Sequence, residues 1–103
     1  MSEPSSERGW TVWNEPQAVE TMLEMSKAGD AGAVLSKSVL RYLRALALEV
    51  GSAVEEGKRL PGLPMADGRI SLDIPREPVM LVYIVDREHR ELRVTELIWV
   101  QTL

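Results

Sequence analysis

The chain has 103 residues, 45% of them hydrophobic, which suffices for one buried core and leaves no room for two. It has no cysteine and one histidine, excluding disulfides, thiolate catalysis, sulfur-ligated metals and multi-histidine metal centres, so no metal or other cofactor is expected. The net charge of −4 is uneven: residues 1–33 carry six acidic against two basic groups, whereas the seven basic groups of residues 58–93 are interspersed with six acidic ones. That mixed surface argues against a nucleic-acid partner, which needs clustered Lys and Arg.

No apolar run approaches the roughly 20 residues of a membrane span, and the MSEPSSERG start has neither a basic nor an apolar signal region. A cytoplasmic protein with no membrane partner is expected.

Residues 1–8 read as a flexible leader and residues 9–103 as a single α+β domain. Trp10, Val12 and Trp13 form a short β-prone stretch around Thr11. Asn14, Pro16 and Gln17 then give an N-x-x-Q helix start close to a capping box. In the first helix Ala18, Met22 and Met25 fall at helical spacing, and Ala28-Gly29 ends it. Gly29-Asp30-Ala31-Gly32 reads as a tight connection between helices. From about Val34 to Glu56, Leu35, Val39, Leu43, Leu46, Val50 and Val54 recur at gaps of four and three, which predicts a long amphipathic helix capped by Gly57.

Pro61, Gly62, Pro64 and Gly68 mark an irregular crossing. Ile70, Leu72 and Ile74 then alternate with polar residues, as in a strand with one wet face. The all-apolar run Val79 to Val85 predicts a central strand covered on both faces. Leu92 and Val94 alternate in a last strand, and the shift of apolar phase after Glu96 predicts a bulge beside it. The expected fold is β-α-α-β-β-β: a helical hairpin on a sheet built from the N-terminal strand and a three-stranded antiparallel meander.

This order, with Arg69-Ile70 leading one strand and Val79-Met80-Leu81-Val82-Tyr83-Ile84-Val85-Asp86 forming the next, resembles the RelE/ParE toxin superfamily of toxin–antitoxin systems. The resemblance implies an antitoxin as partner. Where that family commonly opens the central strand with an aromatic residue and an arginine, this chain has Val79 and Met80. Where ribosome-dependent members carry a basic or tyrosine residue in the tail, this one ends Trp99-Val100-Gln101-Thr102-Leu103. The resemblance therefore points to a protein-targeting module of ParE type rather than to an RNase.

Candidate site residues are few. Glu96, among apolar neighbours, and His89, with its near-neutral pKa, are the candidate acid–base groups. Against them stand a bulge glutamate pointing to water and a turn histidine without a placed partner. Arg69 and Arg93 are candidates to converge on an anion, or else to form exposed ion pairs. Tyr83 could present its hydroxyl in a cleft or belong to the core. Trp10 and Trp99 are candidate anchors for a partner chain or core fillers. A second apolar row on the long helix, Leu40 and Ala47, suggests a homodimer. The alternative functions are a peptide-binding or peptide-tailoring scaffold, such as a lysinoalanine-type cyclase of a lanthipeptide cluster, and a noncatalytic assembly module using the acidic first helix.

Overall fold

The computed structural model describes residues 9–101; the leader expected at residues 1–8 lies outside them. Strand β1 (Thr11–Asn14) leads into helices α1 (Pro16–Ser26) and α2 (Gly29–Glu56), followed by strands β2 (Leu63–Pro64), β3 (Ile70–Asp73), β4 (Val79–Asp86) and β5 (Glu91–Trp99). The expected α+β order is present, with β2 added in the crossing. The sheet runs β1-β5-β4-β3-β2. It is mixed: β2 to β5 are antiparallel to their neighbours, but β1 pairs with β5 in parallel. The parallel pair arises because the helical hairpin and the β2–β4 strands intervene before the chain returns beside β1.

Both helices cover one face of this sheet. Ala18 and Met25 of α1, Val39, Leu43, Leu46 and Val50 of α2, Leu81 and Tyr83 of β4, and Leu92, Val94 and Leu97 of β5 form the buried core. Trp10, just before β1, and Val12 within it pack against the same cluster. Ala47 is fully buried there, so it belongs to the core stripe and not to a second exposed row. β4 is fully covered only in part: Val79 and Leu81 to Tyr83 are buried, whereas Met80, Ile84 and Val85 are half-buried.

The helix boundaries differ from expectation for identifiable reasons. Asn14 remains the last residue of β1, because Glu15 N–H still donates to the Val94 carbonyl at 2.9 Å. The N-cap is Glu15, with no side-chain cap bond, and Gln17 reaches across to β5 instead of back to Asn14. The hairpin turn is shorter than expected: α1 ends at Ser26, and α2 already starts at Gly29, whose φ of 82° only glycine adopts freely. Gly32 does not break the helix. It is the point of close approach to α1, where a Cβ would fall 2.1 Å from the Met25 carbonyl oxygen. At the other end Gly57 is the expected cap, left-handed at φ 68°.

The expected bulge in β5 is present. Val82 faces Glu96 while its neighbour Tyr83 faces Val94, which leaves Thr95 as the extra residue, its hydroxyl donating to the Val82 carbonyl at 3.1 Å.

Candidate protein-docking site

The sheet face opposite the helices carries most of the charged candidates, and each is already engaged. Arg93 of β5 lies between carboxylates, with Nη1 3.3 Å from Glu15 and Nε 3.5 Å from both Asp86 and Glu91. Its guanidinium stands 5.8 Å from the ring centre of Trp13, its register partner on β1. Buried Nε makes no directed hydrogen bond, so the cluster is held by charge more than by bond geometry. Asp86, His89 and Glu91 bring their ligand atoms within 4.8 Å of one another, but the Arg93 cation already neutralises this group.

Arg69 bonds Asp67 through Nε at 2.8 Å and lies 3.7 Å from Glu96. Arg69 and Arg93 are thus separate ion-pair centres. The Glu96 side chain is 42% exposed, pointing to water from the bulge, and is not a buried base. His89 is exposed, yet it does have a partner: Asp86 Oδ2 lies 2.9 Å from Nδ1 and holds the imidazole pKa above its ordinary value of 6.5. His89 lies in the turn before β5, whereas Glu96 stands roughly 15 Å along the strand from its first residue, Glu91, so the two are not placed to act on one proton.

Tyr83 corrects the cleft expectation. It is fully buried, with its hydroxyl donating to the Pro61 carbonyl at 2.6 Å, and burial holds its pKa well above the ordinary 10.0. The hydroxyl ties β4 to the crossing loop. Trp99 is half-buried at the end of β5 and packs on the core. Trp10 also packs on the core, over Gly51 of α2, but one side of it borders an open groove.

That groove is an apolar feature that the linear sequence does not reveal. It measures about 480 Å³ between β1 and α2, lined by Trp10, Val12, Leu40, Leu43, Arg44 and Leu48. A second hollow of about 730 Å³ continues past Asn14 to Trp13, Val19 and Leu23. Trp13, Leu23 and Leu48 are each about half exposed or more, at 51%, 52% and 62%. Between the hollows runs β1, the edge of the sheet. Thr11 and Glu15 donate their N–H groups to Arg90 and Val94, so strand alternation turns the N–H and C=O groups of Val12 and Asn14 outward. The Asn14 amide oxygen is buried and has no hydrogen-bond partner among the described residues. The signal for this site lies in apolar residues beside the core stripes, Val19, Leu23 and Leu48, each of which is substantially exposed.

No family model matches the chain, and no curated protein matches it by sequence. Among solved structures, the intact E. coli RelBE toxin–antitoxin complex is similar, with a TM-score of 0.46 and 19% identity over 91% of this chain and 100% of that one.

Proposed function

We propose that this protein is a toxin-type interaction module that captures an extended segment of another protein, an antitoxin-like or target peptide, as an added strand on β1. The observation that carries this reading is the outer edge of β1, unpaired among the described residues and lying between two apolar hollows. An added strand bonds through its main chain to the outward groups of Val12 and Asn14, while its alternate side chains enter the groove beside Leu40 and Leu48 or pack on Trp13. Affinity then comes from backbone bonds, and specificity from the hollows.

RNA cleavage is not part of the proposal. Arg69 and Arg93 are committed to carboxylates, and His89 and Glu96 stand apart, so the acid–base pair that phosphodiester cleavage needs is not assembled by these four residues.

The test is induction in a bacterial host of the wild type and Val12→Pro, with matched soluble, folded protein. Proline at 12 removes an outward N–H and leaves the ladder to β5 intact. Wild-type growth arrest, relieved by Val12→Pro and unaffected by Glu96→Ala, is expected. Arrest that survives Val12→Pro but is lost with Glu96→Ala would replace docking by catalysis. Unimpaired growth with the wild type would remove the toxin reading in that host.

A further inference from the structure

From the geometry of α2 we infer that its outer face is a docking surface for a second copy of this chain, with the two α2 helices antiparallel about Leu48. This contact shares Leu48 with the β1 groove, but its charged positions, Arg41 and Glu55, lie outside that groove.

The argument starts from spacing. Val34, Arg41, Leu48 and Glu55 recur every seven residues, which places them in one stripe along a helix. All four are exposed, Val34 at 68% and Leu48 at 62%, and the stripe points away from the core residues Val39, Leu43, Leu46 and Val50. Ala45 and Ser52, beside it, are small and exposed, so the backbones can approach closely.

The charges decide the partner. Arg41 lies one heptad before Leu48 and Glu55 one heptad after it. Neither forms an ion pair among the described residues, although every charged residue around the sheet cluster of Arg93 is paired. Across a two-fold axis at Leu48, positions equally far from the axis face each other. Leu48 then meets Leu48 of the second copy, and Arg41 of each chain meets Glu55 of the other, twice over. A parallel arrangement would oppose like charges at both positions. A nucleic acid would satisfy Arg41 but be repelled by Glu55 and by the net charge of −4. The part of the stripe from Arg41 to Glu55 is therefore complementary to itself.

Neither Arg41 nor Glu55 lines the β1 groove, so the contact can be tested without touching strand capture. Sedimentation equilibrium of the full chain is expected to show a monomer–dimer equilibrium that weakens as salt rises from about 0.1 M to about 1 M. Arg41→Glu and Glu55→Arg should each weaken dimerisation by about tenfold or more, since each change turns two attractive pairs into repulsive ones. The double variant Arg41→Glu/Glu55→Arg should return to within about threefold of wild type. A wild type that stays monomeric at all concentrations overturns the inference. So does a double variant no better than the singles, which would mean that Arg41 faces some other acid. Growth arrest retained by the single variants would leave the strand-capture reading standing whichever way dimerisation falls.

Discussion

Gln17 of α1 and Leu97 of β5 are joined by two hydrogen bonds: the Leu97 N–H donates to Gln17 Oε1 at 2.8 Å, and Gln17 Nε2 donates to the Leu97 carbonyl at 3.0 Å. Thr21, one turn on, donates its hydroxyl to the same carbonyl at 3.1 Å. The first helix is thereby fixed to the part of β5 that runs on past its pairing with β1, which ends at Val94. Replacing Gln17 by Leu leaves the Leu97 N–H without its side-chain acceptor and should cost about 1–3 kcal/mol. Urea unfolding checks this, with the midpoint falling and the slope unchanged.

Trp10 and Gly51 set the distance between β1 and α2. Glycine inside a helix ordinarily costs about 1 kcal/mol relative to alanine, so Gly51→Ala would be stabilising on propensity alone. Here the added Cβ would fall 2.3 Å from Trp10 Cδ1, and the indole would have to move. Overpacking of this kind costs about 1–3 kcal/mol, which outweighs the helix gain. Gly51→Ala should lower stability and change tryptophan emission; a gain in stability would show that β1 yields easily.

These two contacts show what a linear reading can and cannot reach. Val39, Leu43, Leu46 and Val50 declare their helix face because burial repeats with the helical period, and the β5 bulge is legible from the phase slip at Glu96. Gln17 is ambiguous in the sequence because an N-x-x-Q spacing fits a capping box as well as a helix-to-sheet contact. Only the packing of α1 on β5 decides between them. Gly32 was taken for a breaker for the same reason, its close approach to Met25 being a tertiary fact. Of the site, the sequence marks Trp10, Trp13 and Leu40 only as separate apolar residues. Their assembly around a free edge depends on β1 pairing in parallel at the end of the sheet, which no local pattern encodes.

Arg76 holds a left-handed conformation, φ 69°, in the turn between β3 and β4. An L side chain there costs about 1–2 kcal/mol, whereas glycine adds about 0.5–1 kcal/mol of unfolded-state entropy loss. Arg76 is exposed and forms no ion pair among the described residues, so little is lost with its side chain. Arg76→Gly should therefore raise stability slightly, by about 0.5 kcal/mol, and thermal unfolding should show a small upward shift. A fall would mean that the turn draws on the arginine.

Asp86 and His89 make the turn between β4 and β5 sensitive to pH. The hydrogen bonds of Asp86 to the His89 side chain and N–H lower the carboxyl pKa below its ordinary 3.8, and the same carboxylate raises the imidazole above 6.5. The raised histidine contributes stability in full below its unfolded value, and that part fades as pH rises through the folded pKa. The lowered aspartate contributes above its unfolded value, and that part is lost as pH falls through its folded pKa. The pair is thus strongest between the two unfolded values. Because His89 is the chain's only histidine, one imidazole proton resonance reports it: its midpoint should lie above 6.5 in the wild type and drop in Asp86→Asn. In His89→Ala the stability lost above neutral pH should be correspondingly smaller, and an unchanged pH profile would place the sensitivity elsewhere.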